Sequence, residues 1–201
     1  MSDFGSPSPD PAADTLRGGP SYGEFIEQTR TLMDRVRTAC PSDEIALATI
    51  AALQEINSRL EEVQVDSWSL PLWTRHDLPA QGNITLPPYE ILHRDSESIK
   101  ATVRFRSYHQ GVMNTVHGGH IGVVFDEILG MAAWSAVNTV KRTAYLNVSY
   151  RAPVPLEKDL QLLTRVEKQE GRKTFLHAEL RDGELLCAEA DTLFIALQGQ
   201  S

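Results

Sequence analysis

Residues 116–140 read Val-His-Gly-Gly-His-Ile-Gly-Val-Val-Phe-Asp-Glu-Ile-Leu-Gly-Met-Ala-Ala-Trp-Ser-Ala-Val-Asn-Thr-Val, and this stretch decides the fold. Two glycines, Gly118 and Gly119, open it. From Ile121 to Val137 it is apolar on nearly every face. A helix that is apolar all round is a buried helix, not a surface one. Asp126 and Glu127 nevertheless stand in its middle. Successive helical residues point about 100° apart, so the two carboxylates face different ways and cannot share one route to water. Burying an unpaired carboxylate is costly. At least one of the two therefore serves chemistry or a partner.

Around this helix the sequence alternates as strands do. In residues 99–108, Ala101, Val103 and Phe105 face one way and Thr102, Arg104 and Arg106 the other. After the helix, residues 142–151 line up Ala144, Leu146, Val148 and Tyr150, and residues 160–168 line up Leu160, Leu162 and Val166. Residues 172–181 do the same with Thr174, Leu176, Ala178 and Leu180, and residues 184–197 with Leu186, Ala188, Ala190, Thr192, Phe194 and Ala196. The breaks at residues 169–171 and at Asp182-Gly183 are hairpin turns. Inward alanines let a helix lie close to a sheet. The order β–α–β–β–β–β predicts an α+β domain in which one antiparallel sheet curls around one buried helix.

Upstream, residues 1–20 are rich in Pro, Ser, Asp and Gly and read as a disordered tail. Residues 21–64 carry two amphipathic stripes, Tyr22, Phe25, Ile26, Thr29, Leu32, Met33, Val36 and then Ile45, Thr49, Ala52, Leu53, Ile56, Leu60, Val63. They predict a helical hairpin broken at Pro41, with Asp43 and Glu44 in the first turn of its second helix. Gly19-Pro20-Ser21-Tyr22-Gly23 fits the G-x-S-x-G string of a nucleophile elbow, but that elbow needs a preceding strand. Ser21 reads instead as a helix cap. Residues 65–97 form a Pro-rich connecting segment with a short strand near residues 89–93, and Trp68 and Trp73 read as core anchors in preference to the alternative of pocket lining. The sheet-and-helix domain spans residues 98–201.

Composition narrows the partners. The chain has 201 residues, which suits one domain with an extension, and a net charge of −8 argues against a nucleic-acid surface. Anionic ligands must then be met by local basic residues. Cys40 and Cys187 match no metal or redox spacing and suit a reducing compartment. The N-terminus lacks a basic-then-apolar leader pattern, and the uncharged run 128–140 is too short for a bilayer. The expectation is a cytoplasmic protein without a membrane partner.

His117-Gly118-Gly119, Asp126 nine residues after the histidine, and Tyr150-Arg151-Ala152-Pro153-Val154-Pro155 after the following strand together resemble the hotdog-fold acyl-CoA thioesterases. The branch is the PaaI-like one, with the phenylacetate-pathway enzyme and the human thioesterase superfamily members. The resemblance covers roughly residues 98–197. It implies hydrolysis of an acyl-CoA to free acid and CoA. Matched position by position, the oxyanion donor falls on the Gly118 N–H, His117 orients that turn, and Asp126 is the general base or the nucleophile. The physics agrees, because a helix N-terminus offers free N–H groups and a partial positive charge. Gly118 and Gly119 also let a ligand approach the backbone closely. Thr143 stands where relatives carry a hydroxyl that positions water. Relatives often have Asn or Gln where this chain has Gly111, and Gln110 or Asn114 is the candidate replacement.

Gly118 and Asp126 lie eight residues apart on one helix, roughly 12 Å of rise, so they cannot both touch one carbonyl within one protomer. A site shared across a homodimer follows, as in the family, with a dimer of dimers as the larger alternative. Coenzyme A phosphates want cations, and Arg151, Arg172 and Lys173 are the candidates. Glu127 reads as a carboxylate satisfied by hydrogen bonds or an interface. His117 and His120 sit three apart with no third ligand at a metal-binding spacing, so neither metal nor cofactor is expected. Two rivals stand beside hydrolysis: a hotdog dehydratase acting on acyl thioesters, and a non-catalytic acyl-CoA binding or regulatory module.

Overall fold

The computed structural model of the chain describes residues 17–197. The chain divides into two compact units, the first running to Asn83 and the second starting at Ile84.

The first unit holds helices α1 (Tyr22–Thr38) and α2 (Asp43–Glu61) and two 3₁₀ turns, Pro71–Trp73 and Pro79–Gly82. Pro41 separates the helices, Ser42 caps α2 through the Ile45 N–H, and Asp43 and Glu44 occupy its first turn. Ser21 stands at the N-cap of α1, yet its side chain makes no capping bond, which corrects that expectation. The amphipathic stripes are also only partly used. Ile26 is buried, whereas Val36 is 60% exposed and α2 buries none of its residues. Two buried arginines organise this unit instead. Arg75 pairs with Asp77 at 2.8 Å, donates to the Gly19 carbonyl at 3.2 Å and lies over the Tyr22 ring. Arg30 donates to the carbonyls of Pro79 and Asn83, both at 3.1 Å. Guanidinium groups suit this work because they carry several donors in a fixed plane. Trp68 and Trp73 are not core anchors: they stack on each other at 5.7 Å and stay 46% and 36% exposed. Their rings shield one another and the Trp73 indole N–H is satisfied by the Ser67 carbonyl.

The second unit is one six-stranded antiparallel sheet laid against one helix. Its strands are β1 (Tyr89–Arg94), β2 (Ser98–Arg104), β3 (Lys141–Tyr150), β4 (Asp159–Glu170), β5 (Lys173–Asp182) and β6 (Leu185–Ala196), in spatial order β1-β2-β4-β5-β6-β3. The helix is α3 (Gly118–Val137). The strand near residues 89–93 does form, and as β1 it pairs with β2 and makes one edge of the sheet. Sheet residues with period two meet α3: Ala101, Val103, Leu160, Leu162, Leu176, Ala178, Leu180, Ala188 and Ala190 are all buried. Ala178 faces Ala190 and Leu180 faces Ala188 across β5 and β6. These small side chains let Phe125, Ile128 and Leu129 of α3 reach the sheet and become fully buried. Gly171 and Gly183 take positive φ in the two hairpin turns, the conformation glycine adopts without steric cost.

Two departures from the sequence reading bear on the site. First, α3 is not buried all round. Val123, Asp126, Trp134 and Val137 repeat at helical spacing on one exposed stripe, with Val123 at 42%, Trp134 at 46% and Val137 at 40% exposure. Twenty residues long, α3 is apolar enough to cross a membrane by length and composition, but its other side is enclosed by the sheet. Second, β3 does not bury the face Ala144, Leu146, Val148, Tyr150. It is the other edge strand, and Tyr150 is 56% exposed. Hydropathy registers apolar surface without saying whether its cover comes from the same chain.

Candidate active site

The turn into α3 is built from its own side chains. His117 is the N-cap, with an extended backbone, and its Nδ1 accepts the Gly119 N–H at 3.0 Å. Its carbonyl accepts the His120 N–H at 2.9 Å. The Tyr150 hydroxyl donates to the Gly118 carbonyl at 3.0 Å. The Gly118 N–H, the first of the helix, has no hydrogen-bond partner among the described residues. The two glycines sit in tight places: a Cβ on Gly118 would lie 3.1 Å from the Tyr150 hydroxyl, and one on Gly119 would lie 3.1 Å from His117 Nδ1, so either side chain would have to give by a few tenths of an ångström. Gly111 has a similar reason. A Cβ there would lie 2.9 Å from the His117 Cα, so the position where the resemblance leads one to expect Asn or Gln is taken up by backbone packed on backbone. Gln110 and Asn114 bond to each other at 2.9 Å in the loop beside this turn, where Asn114 takes φ +56°. His117 and His120 sit with ring centroids 6.1 Å apart, and burial, then the neighbouring His117, lowers the pKa of His120. Among the described residues no group of three or more His, Cys, Asp or Glu is placed to hold a metal.

Two turns further along α3, Asp126 lies exposed on the open stripe and its Oδ1 accepts the Thr143 hydroxyl at 2.8 Å. The structure therefore joins Asp126 to Thr143, and His117, Gly118 and Gly119 to Tyr150, as two separate groups. The cations follow the same division. Arg151, next to Tyr150, is held by Glu189, with Nε at 2.9 Å and Nη2 at 2.5 Å from one carboxylate oxygen. Arg172 donates to the Ala196 carbonyl at 3.0 Å, and Ala196 pairs with Lys141 at the start of β3. Lys173 opens β5 beside it. Tyr150 is the residue of this region that the sequence reading quoted within a motif without giving it a role. Its signal is the direct sequence contact with Arg151 at the end of an edge strand.

Glu127 points away from the stripe and accepts the Tyr89 hydroxyl at 3.1 Å, which satisfies it by a hydrogen bond. Burial raises its pKa most, the Tyr89 bond opposes this, and the Asp126 charge adds to it. A carboxyl whose folded pKa is raised gives its full stabilisation below its ordinary value and loses it as pH rises through the folded value. Glu127→Gln keeps an acceptor for Tyr89 and removes the charge. Its Tm should exceed that of the wild type at about pH 8, and the gain should vanish as pH falls to the ordinary value of 4.5. Thermal melts across that range check this; a pH-independent difference contradicts it.

A curled antiparallel sheet cradling one long helix, with a glycine turn at the helix start and a carboxylate two turns on, defines a hotdog-fold domain. Residues 113–188 match the family model of the thioesterase superfamily. Acyl-coenzyme A thioesterase THEM4 of Bos taurus is 39% identical over 111 residues, which is 53% of this chain and 45% of that protein. The chain thus spans less than half the length of this curated relative. A solved thioesterase superfamily protein superposes with a TM-score of 0.76 at 24% identity, covering 88% of this chain and 96% of that one. A thioesterase protein of Streptococcus pneumoniae solved with coenzyme A superposes at 0.52 and 17% identity, covering 56% and 90%. These likenesses establish the fold.

Proposed function

We propose that the second unit hydrolyses acyl-CoA thioesters to free acid and CoA, at a site completed by a second copy of the chain. One observation carries this: Asp126, bonded to the Thr143 hydroxyl at 2.8 Å, stands exposed on an otherwise apolar helix stripe beside an edge strand. Such a stripe and edge suit a twofold partner. Thr143 and Tyr150 are equidistant from the midpoint of Leu146 and Asn147. Antiparallel pairing of two β3 strands about that midpoint brings Asp126 of the partner subunit to the Gly118 turn. The thioester oxygen then accepts the free Gly118 N–H, which stabilises the oxyanion. Asp126 of the partner subunit either takes a proton from a water that attacks the carbonyl carbon, giving the acid directly, or attacks that carbon itself, giving a mixed acyl–Asp anhydride that water cleaves to the acid after the thiolate has left. Collapse of the tetrahedral intermediate breaks the C–S bond and releases the CoA thiolate, which takes up a proton. The same pairing places Arg151 near Arg172 and Lys173 of the partner subunit, a basic rim for the CoA phosphates. The names of the bovine relative and the CoA-bound streptococcal structure support the substrate class. The free Cys40 and Cys187 fit a reducing compartment such as the cytoplasm.

Mixing two inactive variants tests the shared site. Asp126→Asn and Gly118→Pro protomers lose opposite halves of it. Proline suits a first helical position, and extended His117 suits a residue before proline, while the exposed Tyr150 ring has to shift by a few tenths of an ångström to admit the new Cβ. After subunit exchange, heterodimers carry one intact site, so up to about a quarter of wild-type activity should return in an equimolar mixture with random pairing. Confirmed exchange without recovery overturns the shared site.

A further inference from the structure

We infer that Tyr150 is a positioning residue for the oxyanion donor, acting with His117 as a clamp on the Gly118–Gly119 peptide; the inference rests on the hydrolase reading above. The peptide is gripped at both ends. Its carbonyl, that of Gly118, accepts the Tyr150 hydroxyl at 3.0 Å, and its N–H, that of Gly119, is accepted by His117 Nδ1 at 3.0 Å. The preceding peptide is tied as well, because the His117 carbonyl accepts the His120 N–H at 2.9 Å. The Gly118 N–H is the group left over on this His117–Gly118 peptide, and the clamped Gly118–Gly119 peptide next to it fixes the other side of the Gly118 Cα. Two adjacent glycines are the loosest backbone a chain can present, and an oxyanion donor must not wander. Side-chain bonds across the turn supply the rigidity that the missing Cβ atoms do not.

The Tyr150 ring lies against the glycine at the same time. The ring carbons Cε1 and Cζ lie 3.2 Å from where a Gly118 Cβ would stand. This contact explains the glycine by the tyrosine beside it as much as by the ligand. A tyrosine 56% exposed at the end of an edge strand contributes little to a core. Its hydroxyl is well placed instead to set one peptide plane.

Tyr150→Phe keeps the ring and removes the donor. Against an acyl-CoA panel, kcat should fall about three- to tenfold, the worth of one hydrogen bond. KM, dimer mass and Tm should stay at wild-type values, since the ring and the stripe are untouched. Tyr145→Phe, a second exposed tyrosine of β3, should change neither kcat nor KM. Amide exchange at the Gly119 N–H, followed by NMR without substrate, should quicken several-fold in Tyr150→Phe. An unchanged kcat, or a loss that comes with a lowered Tm or a lost dimer, overturns the role. If the wild-type chain hydrolyses no acyl-CoA, the hydrolase reading fails on its own and the catalytic role with it. Exchange at Gly119 still judges the clamp, and wild-type exchange in Tyr150→Phe overturns it.

Discussion

Asp126→Asn should lower acyl-CoA turnover by about 10²–10⁴-fold while fold and assembly stay intact. Asparagine has nearly the same shape, and its Oδ1 can still accept the Thr143 hydroxyl that now binds Asp126 at 2.8 Å. What disappears is a group able to take a proton or to attack carbon. Asp126 is exposed and far from the packed side of α3, so the change should leave Tm within about 1 °C, as for a surface substitution. Release of free CoA thiol from an acyl-CoA panel measures the first effect, and a thermal melt with a sedimentation profile measures the second. A variant that turns over like the wild type removes Asp126 from the chemistry. One that loses activity only because it unfolds gives the residue a structural role instead.

Phe125→Ala should cost about 3–5 kcal/mol of stability. Phe125 is the neighbour of Asp126 in sequence but its opposite in surroundings: it is fully buried against the sheet. Removing the ring leaves a cavity that α3 cannot close, because Val124, Ile128 and Leu129 beside it are themselves fully buried. A domain holds only about 5–15 kcal/mol in total, so the variant should melt far earlier. Urea titration gives the number; a loss below about 1 kcal/mol contradicts a close-packed helix–sheet interface.

Most of the second unit can be seen in the sequence because its signals are local. Ala101, Val103 and Phe105 alternate and are buried, and Gly171 and Gly183 mark the hairpins where the chain turns with positive φ. The wrong expectations share a cause. Trp68, Trp73 and the apolar stripe of α3 look like core by hydropathy, which measures what a side chain avoids and not what covers it. Long-range contacts were the other blind spot. Nothing near Glu127 announces Tyr89, thirty-eight residues away, as its hydrogen-bond donor. Within the candidate site, the Asp126–Thr143 bond joins two residues that the resemblance singled out separately, while Gly111 is explained only by the His117 backbone beneath it.

The ten-residue edge strand β3 has a consequence for the life of the chain before it is assembled. Its outer rim is a ladder waiting for any extended peptide, and a newly synthesised copy carries it bare. On the twofold assembly proposed above, biosynthesis must bring sister chains together faster than stray strands find that rim. Abundance in the cell then depends on this encounter as well as on intrinsic folding, and substitutions along residues 146–149 should reveal themselves first as insoluble protein rather than as impaired turnover.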